Sequence, residues 1–274
     1  MESEIFNNSK LFIPKKSLGQ NFLIDSNITT KICNIDDDIT GCSVLEIGPG
    51  FGAITINLLK QKPKRLFAIE KDDRFKDNLN RIKKQYPNNF TFVIADALNF
   101  DFSPLYSNRL KIFSNLPYNI STKLLVKWLK LNISSANWGT LTLMFQKEVA
   151  NRIISKSGTK SYGRLSLLSE LLSDATHKFD VPQNCFRPKP KVISSIIHFK
   201  ALTKPRYACN FQLLEKILFF AFNQRRKKIK NSLISMDTNI NSILEESNIS
   251  PESRAEEIDL ANYCKLSLKI NDHK

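Results

Sequence analysis

The chain is expected to fold as an α/β protein, a mostly parallel sheet of seven strands whose last strand runs antiparallel, with a small helical domain after it. Three observations predict this. Between residues 43 and 145, short apolar runs alternate with segments of helical spacing. Four of those runs lead directly into a polar or glycine position, namely Gly48, Glu70, Asp96 and Asn115. The last two apolar runs, Ala175 to Val181 and Val192 to Phe199, are separated only by Pro182 to Pro190, too short for a helical crossover, and must therefore be antiparallel.

Taken in order, residues 1–16 are polar and basic and read as a loose arm. Lys16-Ser17-Leu18-Gly19-Gln20-Asn21-Phe22-Leu23 then offers a glycine turn with apolar anchors. Asp25 or Ser26 is placed to cap a helix through Ile28 and Ile32. Ser43 to Ile47 is a buried strand, followed at once by Gly48-Pro49-Gly50-Phe51-Gly52 and by helical spacing from Ala53 to Leu59. Leu66 to Ile69 is a second strand ending at Glu70, Phe90 to Ala95 a third ending at Asp96, and Leu110 to Phe113 a fourth running into Asn115. Asn115-Leu116-Pro117-Tyr118 forms a tight loop before a helix over Ser121 to Leu131. Trp138 to Phe145 is the fifth strand, and two helices follow around 146–154 and 164–172, with a polar, mobile loop at 155–163. Composition shifts near Lys204-Pro205, and helices are expected over 211–230, 240–247 and 260–270, the last capped by Asp259. The domain boundary falls at 203/204, giving a catalytic domain over 1–203 and a helical domain over 204–274.

The 274 residues suffice for a large core, and a hydrophobic fraction of 42% is that of a globular protein. Lys and Arg number 41 against 26 Asp and Glu, a net charge of +15 that points to a polyanionic partner. The apolar cluster Ile217 to Phe222 is far below the ~20 residues of a membrane span. A soluble, cytoplasmic monomer without membrane contact is the expectation. Five widely spaced cysteines (Cys33, Cys42, Cys185, Cys209, Cys264) without a CxxC pair read as reduced thiols. Three scattered histidines (His177, His198, His273) argue against a zinc site or a histidine-based triad, so no metal is expected.

Strand, glycine turn and helix let a backbone approach a cofactor closely, and an acid at the end of the next strand, Glu70, suits the hydroxyls of a ribose. Gly48 to Ala53 also satisfies the dinucleotide pattern, so this loop by itself leaves NAD and S-adenosylmethionine open. Two features favour the methyl donor: the Glu46-x-Gly48-x-Gly50-x-Gly52 form, and the Asn-Leu-Pro-Tyr loop, which a nicotinamide does not need. An Asn amide oxygen, a carbonyl held near Pro117 and the face of Tyr118 can grip a planar base by its exocyclic amine and stack on its ring.

With these residues the chain resembles the ribosomal RNA adenine N6,N6-dimethyltransferases, a Rossmann-like, S-adenosylmethionine-dependent family. The resemblance runs from about Lys16 nearly to the end. It is carried by Gly19 to Leu23, Glu46 to Gly50, Asn115 to Ile120, Gln146 to Ala150, Tyr162 to Ser166, Phe186 to Val192, Asn223 to Lys228 with Asn231 to Leu233, and Arg254 to Glu256. It implies that Asn21 and Leu23 close over the donor, that Gly48 and Gly50 lie against it, and that Glu70 holds its ribose. Asp96 accepts from the donor's adenine amine, and Asn115 bridges donor and target. In the same reading Asn115, Leu116, Pro117 and Tyr118 form the catalytic loop, Phe186 stacks on the second face of the target base, and S-adenosylhomocysteine is the by-product. Arg187, Lys189 and Lys191, with Arg225, Arg226, Lys227 and Lys228 at the end of a helix, are expected to meet phosphates of small-subunit rRNA. Where the family usually has a basic-aromatic pair before the glycine turn, this chain has Ser17-Leu18. Two other readings make different predictions: a macrolide-resistance-type enzyme acting on large-subunit rRNA, and a ribosome-assembly factor with dispensable catalysis.

Overall fold

A computed structural model describes residues 12–36, 38–107, 110–133, 137–237 and 239–272; residues 1–11 of the expected arm, and His273, lie outside them. The chain divides into two compact units, residues 1–150 with 175–203, and residues 151–174 with 204–274. The second junction coincides with the expected boundary. Residues 151–174, read from sequence as part of the first domain, group instead with the C-terminal helices.

The first unit is built on a seven-stranded sheet. Its strands are β1 (Ser43–Ile47), β2 (Arg65–Glu70), β3 (Phe90–Ile94), β4 (Leu110–Ser114), β5 (Thr140–Gln146), β6 (Ser173–Val181) and β7 (Ser194–Ala201). The order across the sheet is β3-β2-β1-β4-β5-β7-β6. Strands β1 to β5 pair in parallel, β7 runs antiparallel to β5, and β6, joined to β7 by the short connection, lies beside it at the sheet edge. Central strands covered on both faces have no polar face to show, which is why β1 reads as Ser-Val-Leu-Glu-Ile, with Val44, Leu45, Glu46 and Ile47 all buried.

Helices α1 (Ser26–Cys33), α2 (Ala53–Lys60), α3 (Lys76–Gln85) and α4 (Tyr118–Leu131) follow in this unit. Asp25 is the cap of α1, its side chain accepting from Ile28 N at 3.0 Å. Helix α4 starts earlier than its spacing suggests. Pro117 is its N-cap, and its carbonyl accepts from Ile120 N and Ser121 N at 3.1 and 3.2 Å, so Tyr118 is the first helical residue and not part of the loop.

Ile47 of β1 pairs with Ile69 on one side and with Ser114 on the other, and Glu70 pairs with Ile94. The carboxyl ends of four strands are thereby level. The strand order reverses between β1 and β4, and open α/β sheets form their ligand crevice at such a switch point. Ser114 Oγ donates to Ile47 O at 2.5 Å and joins the roots of the two loops that leave there.

Residues 12–16 are anchored, unlike the loose arm expected for them. Phe12 stacks on Phe75 at 4.9 Å between ring centroids and meets Phe22 and Phe51 edge-on at 5.6 and 5.2 Å. These rings gain both apolar burial and favourable edge-to-face geometry.

In the second unit, α5 (Lys147–Ile154) runs in from the first, and α6 (Arg164–Leu172), α7 (Phe211–Asn223), α8 (Ile229–Leu233), α9 (Ile240–Glu246) and α10 (Leu260–Asp272) follow. Leucines 165, 167, 168, 171 and 172 of α6 are buried, and α6 packs on α7 and α10, which explains why residues 151–174 belong here. The loop at 155–163, expected to be mobile, is tied down by Gly158 N donating to Glu256 O at 2.7 Å and by the buried ring of Tyr162. The single helix expected over 211–230 is broken. Its chain leaves the helix at Gln224 so that Ile229 N can donate to Ser253 O at 2.7 Å and Ile229 can be buried. A continuous helix would also stack like charges of Arg225 to Lys230 one turn apart.

Candidate active site

Two recesses lie side by side at the switch point. The first has an empty volume near 720 Å³ and is walled by Gly19 to Leu23, by the glycine turn, and by Asn115 to Tyr118. The second, near 570 Å³, is reached past Gln20, Gly48, Glu70 and Pro117, which line both, and ends at Asp96.

The turn after β1 is shaped for close approach. Gly48, Gly50 and Gly52 have φ of 71°, 53° and 86°, a region that residues with a Cβ rarely enter. Gly48 N donates to Ile69 O at 2.9 Å and Gly52 N to Pro49 O at 2.8 Å, which closes the turn. A Cβ on Gly48 would meet no protein atom within 4 Å and would project into open space, whereas one on Gly52 would lie 2.4 Å from Ile82 Cδ1. The glycines thus serve different ends: one bares the backbone to the cleft, the other lets α3 pack on the loop.

Three carboxylates surround the cleft, each in its own electrostatic setting. Glu70 Oε2 accepts from Gly50 N at 3.0 Å and its Oε1 from Asp72 N at 2.8 Å, which fixes the group while leaving further lone pairs for hydroxyls. Burial raises its pKa above the usual carboxylate range. Glu46 is fully buried, and burial, with the nearby charge of Glu70, pushes its pKa up to about 8. Its Oε2 has no hydrogen-bond partner among the described residues, although it lines the cleft. Asp96 behaves oppositely: Lys71 Nζ, 2.8 Å from Oδ2, and Leu98 N, 3.0 Å from Oδ1, hold its carboxyl below the usual range.

The Asn115 loop faces these groups. Asn115 Nδ2 donates to Asn21 O at 3.1 Å. A carbonyl oxygen only accepts, so the amide nitrogen must face Asn21, and Oδ1 is left as an acceptor. Leu116 is buried in the cleft wall, and Pro117 turns the chain into α4. The hydroxyl of Tyr118 shares a 2.7 Å hydrogen bond with Ser194 Oγ on β7, which orients the ring, and burial raises the phenol pKa.

Of the sequence-predicted residues, Asn21, Leu23, Gly48, Gly50, Glu70 and Asn115 to Tyr118 converge on the first recess, and Asp96 on the second. Phe186 does not. It pairs with Leu23 in a short antiparallel ladder, Phe22 pairing with Arg187, and only 4% of its surface is exposed. Its ring belongs to the apolar core, where burial of a large side chain outweighs leaving it bare at the rim.

The fold and the cleft give a basis for comparison with known proteins. A family model described as ribosomal RNA adenine dimethylase matches residues 12–272. The chain belongs to the ribosomal RNA adenine dimethylase family. Relatives named ribosomal RNA small subunit methyltransferase A include those of Dinoroseobacter shibae, 42% identical over 93% of this chain and 91% of the relative, and Paracoccus denitrificans, 42% identical over 92% and 90%. Among solved structures, a dimethyladenosine transferase from Plasmodium falciparum superposes with a TM-score of 0.74 at 24% identity, over 90% of this chain and 96% of the other. The 23S rRNA methyltransferase ErmE does so with 0.69 at 21%, over 91% and 99%. At those identities the likeness is one of fold.

Arg187, Lys189 and Lys191 are all exposed, Arg187 in the short ladder with Phe22 and the two lysines on the loop that precedes β7. The other basic group is not at a helix end as expected but in the turn between α7 and α8, with Lys228 as the N-cap of α8. Arg225 is paired with Glu256 at 3.3 Å, and Lys228 and Lys230 both with Glu252, while Arg226 and Lys227 are exposed. Sequence reading missed Gln20, Lys71, Asp72 and Ser194. For Lys71 and Asp72 a signal existed, since charged residues directly after the strand-end acid Glu70 must lie at the same rim. For Gln20 and Ser194 the partners are distant in sequence, and spacing carries no trace of them.

Proposed function

We propose that the protein transfers methyl groups from S-adenosylmethionine to N6 of two adjacent adenosines near the 3′ end of small-subunit rRNA, giving N6,N6-dimethyladenosines, and acts in small-subunit biogenesis. The family and the names of the relatives support the substrate class. The observation that carries the chemistry is the free Asn115 Oδ1 beside a glycine turn with an orphaned buried carboxyl oxygen on Glu46.

The residues present fit S-adenosylmethionine. Glu70 would hold the ribose hydroxyls, Asp96 the adenine amine, the bared backbone at Gly48 the methionine part, and Glu46 its ammonium. When bound, the group supplies an electrophilic methyl on a sulfonium. The protein's part lies in the nucleophile. An adenine amine is a poor one because its lone pair is delocalised into the ring. Asn115 Oδ1 and the Leu116 carbonyl accept its two hydrogens, which draws the nitrogen toward sp³ and aims its lone pair into the cleft. Positioning and fixed dipoles replace a strong base. Pro117 holds the loop backbone, and Tyr118 offers an aromatic face to a base taken out of its stack. A role for Phe186 on the other face requires the Leu23–Phe186 ladder to part. Arg187, Lys189, Lys191, Arg226 and Lys227 offer exposed charge for phosphates, and Arg225 and Lys228 add to it where RNA displaces their acidic partners.

The test is transfer of labelled methyl groups to immature small and large ribosomal subunits, followed by mass spectrometry of the rRNA. Dimethyladenosine confined to the 3′ end of small-subunit rRNA is the expected result. Labelling of the large subunit alone would place the protein with the macrolide-resistance enzymes. Subunit binding without transfer would make it an assembly factor.

A further inference from the structure

Residues 12–23 cross the cleft as a strap whose later part, Gly19 to Leu23, forms one wall of the first recess. What fixes this strap is a charge pair outside the recess. The side chain of Asp72 is 0% exposed. It takes a forked contact from Arg74, with Nε at 2.9 Å from Oδ1 and Nη2 at 2.6 Å from Oδ2. It also accepts from Arg74 N at 3.3 Å and, from the strap, Gln20 Nε2 at 2.7 Å and Lys15 Nζ at 3.3 Å. Arg74 in turn donates from Nη1 to Ile13 O at 3.0 Å and lies over the Phe12 ring, 4.2 Å from its centroid. A buried carboxylate and its solvent-facing guanidinium partner therefore grip the strap at Phe12, Ile13, Lys15 and Gln20.

We propose that the Asp72–Arg74 pair is the anchor that keeps the strap on the cleft, and that Asp72 is a positioning residue for donor binding. The inference rests on the reading of this cleft as the S-adenosylmethionine site. The backbone of Asp72 reinforces the point, since its N–H holds Glu70 Oε1. Rigid strap and rigid ribose acceptor are thus set by one residue that does not itself line either recess. Removing the carboxylate charge leaves Arg74 and Lys15, two cations that share a site, with only the exposed Asp73, 3.9 Å from Lys15 Nζ, as counter-charge. The strap then keeps Asn115, the phenylalanine cluster and the Phe22–Leu23 ladder with Arg187 and Phe186, but loses its tie at Gln20 and Lys15, and a ligand beneath it escapes faster.

Asp72→Asn and Lys15→Met are the variants to compare, with S-adenosylmethionine affinity from calorimetry, kcat at saturating donor, and hydrogen exchange of the amides at 19–23. For Asp72→Asn, donor Kd should rise about tenfold or more while kcat at saturating donor stays within about twofold, and the strap amides should exchange faster. Lys15→Met removes a half-exposed partner remote from the recess and should raise Kd by about two- to threefold, in the same direction. If Asp72→Asn does not fold, the Lys15→Met value decides. A folded Asp72→Asn with wild-type donor affinity, or a Lys15→Met with unchanged affinity and unchanged strap exchange, overturns the anchor. A wild-type protein that binds no S-adenosylmethionine instead overturns the reading of the cleft.

Discussion

Asn115→Ala should lower methyl transfer about 10²- to 10³-fold while leaving RNA affinity unchanged, the size of effect seen when one aligned polar group is removed from a preorganised site. The side chain works at two places at once. Its nitrogen is committed to Asn21 O, which fixes the amide plane and leaves Oδ1 as an acceptor, the one that the proposed function gives to the amine. Alanine removes the acceptor and also one of the ties on the strap, so a modest rise in donor Kd should accompany the large fall in kcat. The basic residues of the exposed loop and turn are untouched, which is why RNA binding serves as the internal control. Single-turnover transfer and filter binding on one preparation separate the two quantities. A variant that transfers at the wild-type rate would remove Asn115 from the chemistry.

Glu46→Gln should stabilise the ligand-free protein above neutral pH while weakening its hold on the donor. In the fold the carboxyl titrates at about 8, against 4.5 for an ordinary glutamate, because it is buried. Between those values the unfolded chain has lost the proton that the native state keeps. The stability linked to this group is therefore complete below pH 4.5, declines as pH rises, and is gone above about 8. At about 1.4 kcal/mol per unit the decline amounts to several kcal/mol, and glutamine, which does not titrate, should abolish it. Denaturation curves at pH 5 and pH 9 measure this difference directly. An incoming ammonium reverses the preference, so donor binding at pH 7 should expel a proton. Calorimetry in two buffers of different ionisation enthalpy counts it, and Glu46→Gln should expel none. A wild-type count of zero would separate Glu46 from the donor.

The strand ends were legible because a parallel sheet buried on both faces has to be written as apolar runs, and whatever stops each run stands at the rim of the crevice. Gly48, Glu70, Asp96 and Asn115 could be placed on that logic alone, and so could the antiparallel last strand. What the sequence did not disclose are pairings that only the folded chain creates. Phe186 looked like a free aromatic in a proline-rich loop, and nothing local indicates that Leu23 would zip it into the core. The helix expected through Arg225 to Lys230 has sound spacing, yet a backbone bond to Ser253 and the burial of Ile229 outweigh propensity there. The grip of Asp72 on Gln20 and Lys15 spans a stretch of chain too long for any window of periodicity to register.

The acids that accompany the turn between α7 and α8 bear on how tightly it can respond to ionic conditions. Among the described residues, Glu252 and Glu256 already offset Lys228, Lys230 and Arg225, whereas no acid is paired with Arg226 or Lys227. A polyanion meeting this turn would shed counterions for roughly two phosphates rather than for every cation in the run, since a side chain that carries its own neutralising partner displaces few of them. The logarithmic salt slope contributed here should be shallow, near −0.7 for each of the two, and Glu252→Gln should steepen it.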